Sequence, residues 1–389
     1  MSVNDFLDSV KSKLETKLIG TIPILVTGND SADLDSIISA VLLAYLKQQQ
    51  VSSSNTLYIP LVKVPFRDLA LRPEVTYVFN RAGINATKLI CIDHVDLSYW
   101  KNNNNKLDII LVDHNRLTPP LEDLGQHCQV IGVVDHHVDE GVYLDASLRW
   151  IEMVGSCTSQ VVLIFKEEIT RLSNKQTVAT LALAPILVDT IGLRWALGKT
   201  TQKDMDAFNI IGPLVFGDDT STNGINHQEA MQYYDDIEKI KSQVDHLCTR
   251  DLLRKDYKEW TINGYTVGTS SISWYFKAWI DRDGYDQLVK DVWAFVDERQ
   301  LDMLLILSSY DHSKELEDGV YERELAFFVK NHRLINIKES MERDLNVGLS
   351  TFLSVRKHDP CVEFYNQRNI KLSRKQIWPL VQDLLLKLE

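Results

Sequence analysis

The sequence has few cysteines, and they are spaced too widely for a disulfide framework or a thiolate zinc site. There are five in 389 residues, an odd number, and no two of them form a Cys-x-x-Cys pair. Small secreted domains are typically rich in paired cysteines, whereas chains in a reducing compartment keep their thiols free. The cysteine content therefore excludes a disulfide-stabilised secreted domain.

The sequence also lacks a long apolar segment. No run approaches the roughly 20 residues that cross a bilayer, and residues 1–20 mix acidic and basic side chains instead of forming the apolar core of a secretory signal. We therefore expect a cytoplasmic protein with no membrane partner. The formal net charge of −12 argues against a general nucleic-acid-binding protein, so we expect no nucleic-acid partner either.

What the sequence does contain is a series of acidic motifs, each placed after an apolar run that is typical of a buried strand. The runs are residues 22–26, 108–112, 130–134 and 181–188. The motifs that follow them are Gly28 to Asp35, Asp113-His114-Asn115, Asp135-His136-His137 and Asp189. Because the carboxyl ends of parallel strands open onto one crevice, we expect the four motifs to meet in space.

The side chains that would meet are mostly carboxylates. They are Asp33, Asp35, Asp113, Asp135 and Asp189, with His136 and His137. Several carboxylates in a partly dry cleft repel one another unless a cation neutralises them or their pKa values rise. Oxygen ligands with one or two imidazoles suit magnesium, manganese or cobalt. The motifs therefore predict a site for divalent metal, although an Asp at position 33 or 35 could also cap the helix that begins there.

Taken together, the four motifs resemble the DHH phosphoesterases, whose members use two metal ions to hydrolyse phosphoanhydride or phosphodiester bonds. In the second half, Asp256-Tyr257-Lys258 and Ser373-Arg374-Lys375 are similar to the phosphate-binding motifs of three DHH branches. These branches are the family II inorganic pyrophosphatases, the fungal exopolyphosphatases and the prune proteins. The RecJ-like nucleases carry a glycine-rich run in this half, and residues 250–389 contain no Gly-Gly pair.

Asn29 separates these three branches. Family II pyrophosphatases resemble Gly-His-x-x-x-Asp-x-Asp at the first motif, and Asn29 stands where that His would be. Together with residues 154–159 and 374–376, Asn29 looks most like the cytosolic exopolyphosphatases of yeasts. The resemblance implies a monomeric exopolyphosphatase that acts on inorganic polyphosphate. Two enzymatic alternatives stay open, a family II-like pyrophosphatase and a prune-like short-chain polyphosphatase. A third alternative is a catalytically decayed DHH scaffold.

The resemblance also implies a role for each motif residue. Asp113 would bridge two divalent ions, Mg²⁺ or Mn²⁺, with Co²⁺ as a third candidate. Asp33 would hold one ion, and the ligands of the other would be Asp35, His136 and Asp189. Asn29 would be a weak or lost ligand position. His137 would contact the phosphoryl oxygen or protonate the leaving group, and the substrate-binding residues would be Lys258, Arg374 and Lys375.

Strand-like and helix-like patterns alternate in the first half, which is typical of an α/β domain with a mostly parallel sheet flanked by helices. We predict a DHH domain over residues 1–216 and a polar hinge over residues 217–226. A smaller C-terminal α/β domain with a mixed sheet would follow over residues 227–389, with the active site in the cleft between the domains. Single helical patterns extend over residues 157–172 and 227–254.

Overall fold

The computed structural model describes residues 1–51, 55–102, 106–217, 225–312, 319–352 and 359–388. The chain forms two compact units, Met1–Lys241 and Ser242–Glu389. The division between these units lies later in the chain than the predicted hinge at residues 217–226. Residues 218–224 of that hinge lie outside the described residues, so the hinge and the domain boundaries that depend on it stay predictions.

The first unit is built on a parallel sheet. Its strands are β1 (Ile22–Thr27), β2 (Thr56–Val62), β3 (Ile90–Cys91), β4 (Leu107–Val112), β5 (Cys128–Asp135) and β6 (Leu148–Ile151). Its helices are α1 (Val3–Glu15), α2 (Leu34–Gln50), α3 (Pro73–Arg81), α4 (Ser98–Asn102), α5 (Cys157–Ile164), α6 (Lys166–Arg171), α7 (Lys175–Asp189), α8 (Gln202–Phe216) and α9 (Ile225–Ser242).

The strand order of this sheet is β3-β2-β1-β4-β5-β6, and every neighbouring pair is parallel. This confirms the predicted α/β fold with a parallel sheet. The order changes direction between β1 and β4, which pair side by side with Thr27 opposite Leu111. Such a switch point leaves a crevice at the carboxyl ends of its two strands. The first two acidic motifs follow these same two strands.

Helix α2 is the central helix of the first unit. Every residue from Leu34 to Leu46 is buried, and the helix packs on β2 and against α5 and α7. A helix that is apolar on all sides must lie inside the core. The start of α2, which directly follows the first motif, is therefore held rigidly between the sheet and two other helices.

The prediction of a strand over residues 181–188 is wrong, because this run forms the second half of α7. Residues 178–187 of α7 are all buried, and a fully buried helix has the same continuous apolar pattern as a buried strand.

Two segments that were each predicted as a single helix are divided in the structure. Residues 157–172 form α5 and α6, which meet at Phe165, and residues 227–254 contain a break after α9.

The second unit contains a mixed sheet, as predicted. Its strands are β7 (Tyr257–Ile262), β8 (Tyr265–Ile272), β9 (Met303–Asp311), β10 (Tyr321–Val329), β11 (Leu349–Thr351) and β12 (Val362–Gln367). Its helices are α10 (Thr249–Lys255), α11 (Phe276–Asp283), α12 (Tyr285–Glu298), α13 (Ile335–Arg343) and α14 (Arg374–Leu386). The order is β11-β12-β10-β9-β8-β7, and only the pair β8–β9 is parallel among the described strands.

Within the described ranges, no helix of either unit combines the length and the apolar character needed to cross a membrane.

Strand β10 places a carboxylate inside the second unit. Glu324 is 6% exposed, and its Oε2 atom accepts the N–H group of Phe276, the first residue of α11, at 2.6 Å. The positive end of a helix stabilises a negative charge. Burial nevertheless dominates and raises the pKa of Glu324 to about 7. This carboxylate therefore costs stability wherever it is ionised.

We predict that Glu324→Gln makes the protein more stable above about pH 7 and changes little below pH 4.5. The folded protein keeps a proton that the unfolded chain loses between these two pH values, so the wild type loses stability as the pH rises through this window. The neutral amide oxygen can still accept the Phe276 N–H group. Urea unfolding of both proteins at several pH values should show a gap that grows to about 2–3 kcal/mol. Parallel pH profiles would contradict this prediction.

Candidate metal centre

The loop after β1 projects two aspartates from the first turn of α2. Asp33 is the N-cap residue, and its Oδ1 atom accepts the N–H group of Ser36 at 3.0 Å. The turn lies so close to Gly28 that a Cβ atom there would be 2.6 Å from the Cβ of Ser36. Only glycine allows this approach. Asp33 therefore does cap α2, as the alternative interpretation proposed, while Asp35 points into the protein and is buried.

Asp35 is held by the N-terminus of α5. Its carboxylate accepts the backbone N–H groups of Cys157 at 2.7 Å and Thr158 at 2.9 Å, and the hydroxyl of Ser156 at 2.8 Å. The first N–H groups of a helix carry a partial positive charge and lack partners within the helix. The negative charge of Asp35 supplies that partner, and in return its carboxylate is fixed in position.

Asp113 joins three parts of the site through its carboxylate. It lies at the end of β4 with a φ of 60°, a left-handed conformation that is uncommon for a residue other than glycine. Its Oδ2 atom accepts the hydroxyl of Ser36 at 2.6 Å and the Nδ2 amide of Asn29 at 2.8 Å. Its Oδ1 atom lies 3.1 Å from Nε2 of His136. Burial raises the pKa of Asp113, but the hydrogen bond and charge of His136 outweigh burial and hold this pKa below its ordinary value.

His136 is oriented so that Nε2 faces the carboxylates. Its Nδ1 atom donates to the backbone carbonyl of Val154 at 3.0 Å, while Nε2 points to Asp113 and lies 3.9 Å from Oδ2 of Asp35. Burial lowers the pKa of His136, but Asp113, Asp35 and Asp189 raise it to about 10. An imidazole that donates through one nitrogen to a carbonyl presents the other nitrogen to a metal.

Asp135 orients the second histidine of the motif. Its Oδ1 atom accepts the backbone N–H of His136 at 2.8 Å and Nδ1 of His137 at 2.8 Å. Its Oδ2 atom accepts the side-chain amide of Asn115 at 2.5 Å. Both carboxylate oxygens are thus engaged within the protein.

One ligand atom from each of Asp113, His136 and His137 lies within 4.8 Å of the other two, a spacing that can hold a metal ion.

Asp189 brings a carboxylate with one unsatisfied oxygen to the site. It ends α7, and its Oδ2 atom is buried and has no hydrogen-bond partner among the described residues. Burial and the charge of Asp35 raise the pKa of Asp189 well above its ordinary value. A buried charge without a hydrogen-bond donor is costly, and the charge of His136 offsets only part of this cost. Because the surrounding donors are carboxylate oxygens and one imidazole, the site fits a divalent metal ion of the magnesium and manganese class.

Asn29 uses both ends of its side-chain amide within the loop. Its Nδ2 atom donates to Asp113, and its Oδ1 atom accepts the N–H group of Ser31 at 2.9 Å. In this arrangement Asn29 orients Asp113. Its oxygen is occupied by the backbone of its own loop.

Two residues that hold this site escaped the sequence analysis. Ser36 links the first motif to Asp113, and Asp204, in the first turn of α8, accepts the N–H group of Gly155 at 2.9 Å and the hydroxyl of Ser159 at 2.6 Å. The spacing of Thr201 and Asp204 does predict a capping box, which the structure contains. The bonds from Asp204 to the start of α5 depend on tertiary packing, so no sequence pattern reveals them.

The three predicted substrate-binding cations lie in the second unit. Lys258 is on β7, and Arg374 and Lys375 open α14. The guanidinium of Arg374 donates to Asp256 twice, to its carboxylate at 2.7 Å and to its carbonyl at 3.0 Å. The rings of Trp260 and Trp378 stack at 3.9 Å and join β7 to α14. The two elements that carry the cations are therefore packed together.

Comparison with known proteins identifies two family domains in the order DHH, DHHA2. Residues 23–186 match the model of the DHH family, N-terminal domain, and residues 235–384 match the model of the DHHA2 domain. A Schizosaccharomyces pombe protein named as a candidate exopolyphosphatase is 28% identical over 404 residues, covering 98% of each chain. The human exopolyphosphatase PRUNE1 is 28% identical over 364 residues, covering 93% of this chain and 75% of its own.

Pyrophosphatases are related as well. A manganese-dependent inorganic pyrophosphatase of Methanocaldococcus jannaschii is 25% identical over 341 residues, covering 84% of this chain and 92% of its own. The crystal structure of a candidate family II inorganic pyrophosphatase from Methanococcus jannaschii matches 92% of this chain and 98% of its own, with a TM-score of 0.60 and 20% identity. That likeness shows the shared fold.

We predict that Asp189→Asn stabilises the metal-free protein and weakens its binding of Mn²⁺. The substitution removes a carboxyl group whose ionisation is opposed by burial and by Asp35, so the melting temperature without metal should rise by roughly 2–4 °C for each kcal/mol gained. The Kd for Mn²⁺ should rise at least about tenfold because a ligand charge is lost. Melting curves after EDTA treatment and calorimetric titration with Mn²⁺ measure the two effects.

Asp204→Asn is the matched control for this prediction. Asp204 is also buried, but both of its oxygens accept hydrogen bonds, from groups that include the Thr201 N–H and the Ser159 hydroxyl. Its substitution should therefore lower the melting temperature. If Asp189→Asn lowered the melting temperature in the same way, the interpretation of Asp189 as an unsatisfied carboxylate would be wrong.

Proposed function

The chain belongs to the DHH family, and on that premise we propose that it is an exopolyphosphatase, a metal-dependent phosphoanhydride hydrolase that releases terminal orthophosphate from linear inorganic polyphosphate. The observation that carries this proposal is the set of carboxylates at the switch point of the parallel sheet, where the buried Oδ2 atom of Asp189 has no hydrogen-bond partner among the described residues. Relatives named as exopolyphosphatases, which align with nearly the whole chain, support the choice of substrate.

The proposed cofactor is a pair of divalent ions, Mg²⁺ or Mn²⁺, with Co²⁺ also suited to the donor set. The residues that would hold these ions are Asp33, Asp35, Asp113, His136 and Asp189, and Asp113 would serve both ions. Bound there, the ions would supply an activated water nucleophile and would neutralise charge on the phosphoryl oxygens. The contact of Asp113 with Ser36 and Asn29 would hold its carboxylate ready for the shared position.

His137 is proposed to act on the substrate directly. Its Nδ1 atom is anchored to Asp135 at 2.8 Å, which leaves Nε2 as the ring nitrogen proposed to face the substrate. From Nε2 the ring can donate a hydrogen bond to a phosphoryl oxygen or a proton to the leaving phosphate. The leaving chain carries a negative charge on every phosphate, which Lys258, Arg374 and Lys375 would neutralise. The five free cysteines agree with a cytoplasmic setting for this activity.

The test of the proposed function is phosphate release in the presence of Mg²⁺ from polyphosphates of defined length. Pyrophosphate and a single-stranded oligonucleotide are assayed alongside. We expect orthophosphate release from chains of three or more phosphates, with pyrophosphate and the oligonucleotide spared. A preference for pyrophosphate would assign the chain to the pyrophosphatases. No release from any of the three, with weak binding of Mn²⁺, would favour a scaffold protein.

We further predict that Asn29→His raises the turnover of pyrophosphate relative to that of polyphosphate. The imidazole would add a metal ligand where the amide now donates to Asp113, and it would reduce the free space at one ion. Asn29→Ala is the control, because it also removes the bond to Asp113 but adds no ligand, and it should slow both reactions without raising the ratio. An unchanged ratio in Asn29→His would refute the idea that position 29 sets substrate preference.

A further inference from the structure

Two buried cations grip the loop that carries the proposed metal ligands, and both come from the segment between β2 and α3. Arg72 is 3% exposed. Its Nε atom donates to the carbonyl of Ala32 at 2.7 Å, and its Nε and Nη2 atoms both donate to the carbonyl of Ser31. Its Nη1 atom donates to the carbonyl of Asp68 at 3.2 Å. One guanidinium thus fixes two consecutive peptide groups of the loop.

Lys63 is the second buried cation that binds the loop. Its partner, Asp30, directly precedes Ser31. The side chain of Lys63 is 1% exposed and forms an ion pair with the carboxylate of Asp30. The hydroxyl of Thr118 donates to the same Asp30 oxygen at 2.9 Å. Residues 30, 31 and 32 are therefore each bonded to a side chain from the segment 63–72. The next residue in the chain is Asp33.

The loop needs such support because its backbone is strained. Ala32 has a φ of 46°, in the left-handed region that disfavours residues other than glycine. Its conformation decides where the peptide leading to Asp33 points, and hence the position from which Asp33 and Asp35 project. A planar guanidinium suits this task, since it offers several donors in a fixed geometry, whereas an ammonium is a point charge on a flexible stem.

The positive charge of Arg72 would by itself weaken metal binding, which is the opposite of the effect of a well-positioned loop. A permanent positive charge close to a cation site repels the cation and lowers its affinity. Arg72 can therefore raise metal affinity only through the geometry that it imposes on the loop. This difference in sign separates a positioning role from a simple charge effect.

We propose that Arg72, assisted by Lys63, is a positioning residue that holds the Asp30–Ala32 segment in the conformation required for metal binding, and thereby raises the affinity of the site for divalent cations. The proposal rests on the metal centre proposed above. Through its bonds to the carbonyl groups of Ser31 and Ala32, Arg72 acts on the backbone that precedes Asp33.

The experiment is a titration of the full chain with Mn²⁺ alone, by calorimetry or by the electron paramagnetic resonance of free Mn²⁺. We predict that Arg72→Lys raises the Kd about 10–100-fold, because it keeps the charge but loses the planar guanidinium with its several donors. Arg72→Gln, which removes the charge, should also raise the Kd. Arg67→Lys is the matched control, because Arg67 lies on the short 3-10 helix Phe66–Leu71 that ends directly before Arg72. Its side chain is 79% exposed, and its substitution should leave the Kd unchanged.

The outcomes separate this inference from the proposed function. If the wild type does not bind Mn²⁺, the metal centre itself is wrong. If the wild type binds Mn²⁺ and Arg72→Lys binds it equally well, the positioning role is refuted and the metal centre stands. Tighter binding by Arg72→Gln would assign Arg72 a charge effect only. A lower melting temperature with an unchanged Kd would assign it a structural role, which also overturns the inference.

A second variant keeps the proposal testable should Arg72→Lys fail to fold. Asp30 is 47% exposed, and Asp30→Asn weakens the grip of Lys63 while leaving Arg72 in place. We expect this variant to raise the Kd for Mn²⁺ several-fold with little change in melting temperature. An unchanged Kd in Asp30→Asn would then refute the role of this segment in metal binding.

Discussion

Repulsion among carboxylates gathered at one edge of a sheet is the constraint on which the first unit depends. Strands β1 and β4 are neighbours and end side by side, so the topology alone brings Asp33, Asp35 and Asp113 together. Asp135 and Asp189 join them from β5 and α7. A folded protein is stable by only about 5–15 kcal/mol, so this concentration of negative charge has to be offset within the fold.

The first unit offsets the charge by giving Asp35, Asp113 and Asp135 their own donors. The N-terminus of α5 serves Asp35, the side chains of Ser36 and Asn29 serve Asp113, and Asn115 serves Asp135. These donors come from different elements, so the same hydrogen bonds that stabilise the carboxylates also join β1, β4 and α5. Within the part of the chain that is described, Asp189 alone among these carboxylates keeps a buried oxygen without a partner. Among these described carboxylates, the unsatisfied oxygen is Oδ2 of Asp189, and this is the atom that a bound cation would neutralise.

The sequence predicted those features that depend on local pattern. The aliphatic runs before Gly28, Asp113 and Asp135 are the strands β1, β4 and β5, because a strand buried on both faces leaves a continuous apolar trace. The same pattern gave a wrong strand prediction at residues 181–188, because a helix buried on every side has the same continuous apolar sequence over eight residues as a buried strand. The supporting contacts could not be predicted. Arg72 and Asp204 bond to backbone groups about 40 to 50 residues away, and only the folded chain brings those groups together.

The proposed division of labour between the units has a physical basis in how each set of residues is anchored. The candidate metal ligands are held by contacts within the first unit, and Arg374 is held by Asp256 within the second. The stack of Trp260 on Trp378 fixes β7 to α14 without any contribution from the metal ligands. Each set of residues is thus organised within its own unit. A relative named as an exopolyphosphatase and one named as a pyrophosphatase both align with most of this chain, which is consistent with a fold common to the two activities.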